Sequence, residues 1–298
     1  MSAPRITVAG SVNLDLVARC EILPGPGETV LGGVFDRHPG GKGANQALAA
    51  RRLGADVSLL ARVGADNEAE LALALLRRDG VDLSGCAATQ DTPTGVALIA
   101  VSEAGENQIV VAPGANGAFA PEHLPEVIED ALIGQLEIPV ATLAAAVDLC
   151  TGFVALNLAP ALPVPDALLA RADLLIVNES EAAFYGETRL RAAGGLLAVT
   201  LGAKGAELYR DGELIAKAVP PTVHAIDTTG AGDAFVGALT LALLEGQPTE
   251  EALAFACAAG AACATGPGAQ PALPSRAQVE ALMVSTGGLT PHHPPGRV

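Results

Sequence analysis

Short runs rich in β-branched residues alternate with Ala/Leu-rich runs along most of this chain, a rhythm that admits few folds. Strand, crossover helix and parallel strand, repeated, build a mostly parallel sheet with helices on both faces, a three-layer α/β architecture. The spacing predicts core strands over residues 5–12, 56–62, 132–137, 153–158, 174–178 and 196–201. Residues 66–78 typify the helices. Ala69, Ala72, Leu73 and Leu76 form one apolar stripe, acids fill the first turn, Arg77 and Arg78 the last, and Gly80 follows. The polar face with Glu68 and Glu70 reads as solvated surface. Residues 234–244 are apolar on every side, so this helix is expected between layers, with the glycine turn at its start deep inside the protein.

Two stretches, 14–37 and 94–111, break the rhythm and look like antiparallel strand pairs. They fit a hairpin within the main sheet or a separate small sheet over its edge; a discontinuous β lid is preferred, because both lie near polar segments. Residues 1–285 are expected to form one domain, and the Pro-rich segment 286–298, which holds His292 and His293, to be poorly ordered.

Composition excludes several classes. Hydrophobic residues make up 50% of the 298 residues and charged residues 17%, so general disorder is excluded. A net charge of −16 argues against a nucleic-acid surface, and an anionic ligand must be held by backbone donors or a bound cation. No signal pattern precedes the first strand, and no apolar run reaches the ~18–20 residues that span a bilayer. A cytoplasmic protein is expected, without a membrane partner. Cys20, Cys86, Cys150, Cys257 and Cys263 are scattered, lack zinc spacing, and read as buried free thiols.

The residues from Asp227 to Phe235 read Asp-Thr-Thr-Gly-Ala-Gly-Asp-Ala-Phe, a flexible turn ending in a carboxylate as a helical run begins. Unpaired N–H groups and the helix dipole attract anionic oxygens there, and Gly230 and Gly232 let backbone approach a phosphate. Asp233 is placed to take a proton from a nucleophile aimed at that phosphate. The same residues also suit an ordinary helix start. Walker and dinucleotide fingerprints are both missing from the sequence, so a different phosphate cradle is required.

Asn13 and Asp15, two apart on an extended segment, face one ligand together and suit vicinal hydroxyls; an Asx turn is the plainer alternative. Gly40-Gly41-Lys42-Gly43-Ala44-Asn45-Gln46 offers a second helix start with Lys42 and Asn45 beside it, or simply a flexible start with a solvated lysine. Asn178-Glu179-Ser180-Glu181 and the residues from Thr200 to Gly205 follow predicted strands, where open α/β sheets place ligands, or are plain turns. Glu137 ends another strand as a candidate ligand or helix cap.

Together these segments resemble the ribokinase-like carbohydrate kinases of the PfkB family, over residues 5–285. The two glycine motifs carry the resemblance; Gly10 to Asp15, Pro26 to Val30, Thr94 to Ile99, Gly114 to Asn116, Gln135 to Pro139 and Gly268 to Pro271 narrow it toward kinases of ribose. The resemblance implies ATP-dependent phosphorylation of a small sugar, D-ribose at O5. Asp233 would be the base, with Gly230, Ala231 and Gly232 as the anion hole. Asn13, Asp15, Gly41, Lys42, Asn45 and Glu137 would hold the sugar, with Ile99 and Val111 of the lid against its apolar face. Asn178 and Glu181 would position phosphates and Mg²⁺, and Thr200, Gly202 and Gly205 would line the ATP site. Asp227 and carbonyls near Thr229, Cys263, Gly266 and Gly268 would enclose an activating K⁺, although Ala272 stands where some members place a cation-ligating serine. A homodimer through the lids is implied as well. The alternatives are a kinase for another small sugar or a nucleoside, and a non-catalytic sugar sensor on the same fold; low aromatic content disfavours a nucleoside, and an intact Asp233 disfavours the sensor.

Overall fold

The computed structural model describes residues 2–285, and the expectation for 286–298 lies outside the described residues. The strands are β1 (Arg5–Ala9), β2 (Asn13–Cys20), β3 (Val34–Gly40), β4 (Asp56–Gly64), β5 (Cys86–Thr89), β6 (Gly95–Ser102), β7 (Asn107–Ala112), β8 (Ala131–Gln135), β9 (Val154–Asn157), β10 (Leu174–Asn178), β11 (Leu196–Thr200), β12 (Ala206–Arg210) and β13 (Glu213–Ala218). The helices are α1 (Lys42–Leu53), α2 (Asn67–Arg78), α3 (Val140–Leu149), α4 (Asp166–Arg171), α5 (Glu179–Tyr185), α6 (Glu187–Arg191), α7 (Ala231–Leu244), α8 (Thr249–Cys263) and α9 (Arg276–Ser285). Nine strands form one sheet in the order β13-β12-β11-β10-β9-β8-β1-β4-β5, parallel from β11 to β5. All six predicted core strands lie in it.

Period-two alternation divides the core. Ile6, Val8, Ile133, Ala155 and Ile176 point to one face and pack with α1, α2, α7 and α8, whereas Leu132, Leu156, Leu175 and Val177 point to the other and pack with α3 and α4. The predicted stripe of α2 is buried as expected, capped by the Asp66 side chain on the Ala69 N–H at 2.9 Å. Among the described residues no helix is long and apolar enough to cross a membrane, and all five cysteines are free, three of them buried.

The sequence reading stops short at the sheet's edges. It omits β5 and the antiparallel β12–β13 pair, although Asp211 and Gly212, both at positive φ, form a two-residue hairpin turn whose Asp-Gly signal stood in the sequence.

The other four strands form a separate sheet, β3-β2-β6-β7, with β2 and β6 parallel and the outer pairs antiparallel. This is the small lid sheet rather than an extension of the main one. Cross-strand partners share a face, so Asn13, Asp15 and Val17 of β2 lie on one side with Gly40 and His38, with Gly95, Ala97 and Ile99, and with Val111 and Ile109.

Helix α7 is buried from Asp233 to Ala242. The turn before it corrects the expectation of a deep site: Thr228, Thr229 and Gly232 are exposed and Gly230 is half-buried. The helix runs through the core, but its first turn opens to solvent.

Candidate active site

The site is built from two helix N-termini brought side by side. α1 and α7 pack through small residues, Gly237 lying so close to Ala49 that a methyl group there would sit 3.0 Å from the Ala49 Cβ. This aligns the first turns of both helices. Asn45 Nδ2 donates to Asp233 Oδ2 at 2.8 Å and Gln46 Nε2 to Asp233 Oδ1 at 2.9 Å. Asp233 is only 8% exposed. Burial pushes its carboxyl above the ordinary range, while the Lys42 charge and the two amide donors work in the other direction.

The turn before α7 has free donors. The Ala231 N–H is engaged with the Thr228 carbonyl at 3.2 Å, leaving the Gly230 and Gly232 N–H groups without a partner among the described residues. Gly230 has a φ of 80°, and a side chain there would run into the Ala269 backbone at 2.9 Å, so the turn closes against the 266–270 loop only with glycine at this position.

Lys42 lies in the field of four carboxylates. Burial pulls its ammonium down, but Asp233, Glu137, Glu181 and Asp15 outweigh that and leave it raised. Glu137 accepts from Ser11 Oγ at 2.5 Å and from the Lys42 N–H at 3.1 Å, which ties the ends of β8 and β1 to the start of α1. Asn13 is fixed by Asn116 Nδ2 at 2.7 Å, and Asn116 also brackets the Val12 backbone. Asp15 packs on Gly40, and its carboxyl is pushed up to about 7 by burial and by the charges of Glu137 and Asp233. Asn13 and Asp15 are therefore strand residues on the lid, not an Asx turn.

The raised Asp15 carboxyl has a stability consequence. The folded chain holds this proton more tightly than the unfolded chain, so the contribution is complete below about pH 4 and is lost as pH rises through about 7. Asp15→Asn is expected to be about 1–2 kcal/mol more stable than wild type at pH 8, a Tm gain of about 2–5 °C after allowing for partial exposure. That gain should shrink steadily toward pH 4 in thermal melts; a gain independent of pH would contradict the assignment.

Beyond this cluster, Asn178 and Glu181 cap α5 reciprocally, the Asn178 side chain on the Glu181 N–H and the Glu181 carboxylate on the Asn178 N–H, each at 2.8 Å. Burial raises the Glu181 carboxyl, against the Asn178 N–H and Lys42. Thr200 donates to the Val177 carbonyl at 3.3 Å, Gly202 is exposed in the following turn, and Gly205 faces inward against the Ala218 carbonyl. In the sheet order Asn178 ends a strand two removed from β8, which Glu137 follows, and Thr200 ends one three removed.

Asp227, Thr229, Cys263, Gly266 and Gly268 do come together. Asp227 Oδ1 accepts from the Thr229 N–H at 2.9 Å and hydroxyl at 2.6 Å, and its Oδ2 accepts from the Gly268 N–H at 3.0 Å. Burial pushes this carboxyl up, but those bonds and the Arg19 charge outweigh it and hold it low. The Cys263 thiol donates to the Thr229 carbonyl at 3.7 Å, and the Gly266 N–H donates to the Cys263 carbonyl at 3.2 Å. Burial keeps that thiol neutral, pushed up to about 12. The ionised Asp227 carboxylate and the Thr229 and Cys263 carbonyls are hard oxygens of the kind an alkali cation takes, and here each accepts from an N–H, O–H or S–H group.

Sequence reasoning missed Ser11, Asn116, Gln46, Gln135 and Asn157 as site-building residues. The last two were visible as amides at the ends of otherwise apolar strands, and both are buried.

The model of the pfkB family of carbohydrate kinases matches residues 3–276, and the chain belongs to that family. It is 38% identical over 293 residues to the ribokinase of Bacillus subtilis, covering 93% of this chain and 99% of the relative. It is 34% identical to the deoxyribokinase of Salmonella typhi, covering 91% and 95%. The structure of the Arabidopsis thaliana ribokinase complexed with ribose and ATP superposes with a TM-score of 0.80 at 31% identity, over 95% of this chain and 99% of that one.

Proposed function

We propose that this protein transfers the γ-phosphoryl group of ATP to O5 of D-ribose, giving ribose 5-phosphate and ADP. One observation carries the reading: a buried carboxylate, Asp233, stands beside the free Gly230 and Gly232 N–H groups and opposite Asn45, so a base and an anion cradle converge where a hydroxyl could meet a phosphate. Asp233 takes the O5 proton as the oxygen attacks phosphorus. Gly230 and Gly232 donate to the transferring group, with Ala231 closing the turn. Asn13, Asp15, Lys42, Asn45, Glu137 and the Gly41 backbone hold the sugar hydroxyls, and Ile99 and Val111, on the Asp15 face of the lid, cover its apolar side.

Glu137 and Thr200 stand three inter-strand spacings apart, about 14 Å, room for a nucleotide lying along the sheet edge. Thr200 and Gly202 line that end, with Gly205 shaping the turn behind them. Asn178 and Glu181 sit between and serve the phosphates and the water shell of Mg²⁺, whose charge, when bound, offsets that of the phosphates. Asp227 and the carbonyls of Thr229, Cys263, Gly266 and Gly268 would hold a monovalent cation, whose charge would favour anion binding at the turn before α7. The lid supports a homodimer: β7 is exposed throughout, and Leu98, Val110 and Phe35 present apolar side chains to solvent.

The deoxyribokinase relative favours a second reading, 2-deoxyribose as the acceptor. A panel of ribose, 2-deoxyribose, fructose and nucleosides with Mg-ATP, assayed with and without K⁺, separates them. The expected result is highest kcat/KM with ribose and stimulation by K⁺; preferred turnover of another acceptor would overturn the ribose assignment.

A further inference from the structure

Behind Asp233 lies a buried network of side-chain amides. Gln46 is fully buried. Its Nε2 is shared between Asp233 Oδ1 at 2.9 Å and Asn157 Oδ1 at 3.0 Å, and its Oε1 accepts from Gln135 Nε2 at 2.6 Å. Asn157 is itself oriented by donating Nδ2 to the Ile176 carbonyl of β10 at 3.2 Å. These bonds permit only one orientation of the Gln46 amide. Turned over, its oxygen would face two acceptors, the Asp233 carboxylate and Asn157 Oδ1.

We propose that Gln46 is the positioning residue for the base: it fastens Asp233 Oδ1 to β8, β9 and β10 through one amide, so that Oδ2 is the oxygen that faces the sugar and receives its proton. The inference rests on the kinase reading of Asp233. Being wholly buried, Gln46 acts through Asp233 rather than on the sugar. Its N–H also favours the ionised form of a carboxyl that burial pushes toward protonation. The other groups bearing on Asp233 are Lys42 at the start of α1, Glu137 beyond β8, Asp15 on β2, and the neutral Cys263 thiol at the end of α8. Lys42 supports the ionised base, and Asp15 and Glu137 oppose it.

The test is the pH dependence of kcat in Gln46→Met and Gln46→Glu. Methionine keeps the length and removes the donor. Glutamate keeps the volume, can still accept from Gln135, and places a second carboxyl against Asp233. The expected result is a kcat lower by about 10- to 100-fold at pH 7 with KM for ribose within about threefold. The acid limb of the profile should move up by about one pH unit in the methionine variant, the worth of one hydrogen bond to a charged group, and further in the glutamate variant. Leu143→Ala, a cavity on the opposite face of the sheet, controls for lost stability and should leave the limb in place. Acid limbs that coincide with wild type in both Gln46 variants, or a KM that rises as much as kcat falls, would overturn the proposal. Failure of the underlying reading looks different, because wild type itself would then phosphorylate no sugar, and the proposal would fall with it.

Discussion

Asp233→Asn is expected to lower kcat for sugar phosphorylation by about 10² to 10⁴-fold, the usual worth of a positioned general base. The substitution is nearly isosteric, so the packing of α7 against α1 is kept. One of the two donors now facing Asp233, Asn45 Nδ2 or Gln46 Nε2, loses its acceptor, but a carboxylate that burial pushes toward protonation is removed in exchange. The two effects oppose, and Tm is expected to stay within a few degrees of wild type. Sugar binding should be largely retained, since Asn13, Asp15, Lys42 and Glu137 are untouched, so the loss belongs in kcat and not in KM. The acid limb of the pH profile should vanish with the group that titrates. Rate assays beside a calorimetric titration of ribose decide the matter: a kcat within about threefold of wild type removes Asp233 from the chemistry, and a parallel loss of ribose affinity makes it a binding group.

The main sheet was legible because its strands are buried on both faces and read as continuous apolar runs; Leu174 to Val177 is such a run. The edge strands β12 and β13 were not, because Glu207, Arg210, Glu213 and Lys217 dilute the apolar signal, leaving only the Asp211-Gly212 turn to mark them. The chemistry-bearing side chains were legible singly, as polar residues at strand ends and helix starts. Their convergence was not, since Asn45 and Asp233 meet across 188 residues of sequence. Side-chain periodicity reports what a helix buries along its length and says nothing of where its first turn emerges. That is why the apolar residues 234–244 suggested a deep glycine turn when the turn stands open at the surface. Gln46 escaped notice for a related reason: a helix start read from its glycines does not show which of its first-turn side chains α1 carries into the core.

Gly43→Ala tests whether the site depends on how closely α1 approaches β1. A methyl group at position 43 would lie 2.5 Å from the Gly10 carbonyl carbon and the Ser11 nitrogen, where carbon contacts need about 3.5–4.0 Å. The obstacle is backbone, and it cannot withdraw. β1 is a central strand, paired with β4 on one side and β8 on the other. The Ala44 N–H to Ser11 carbonyl bond at 2.9 Å and the Lys42 N–H to Glu137 bond at 3.1 Å hold the helix start down at the same place. α1 must therefore move outward by roughly an ångström, carrying Lys42, Asn45 and Gln46 away from Asp233 together. Overpacking of this kind costs about 1–3 kcal/mol, a Tm loss of about 2–6 °C, and a misplacement of that size lowers kcat/KM by about 10²-fold. Gly117→Ala is the matched control, because a methyl group there meets nothing closer than Pro113 at 3.8 Å. If Gly43→Ala melts and turns over like Gly117→Ala, the close approach is incidental. If activity falls far more than stability does, the glycine is there to set the distance between the two helix starts, because a purely structural glycine would lose both in proportion.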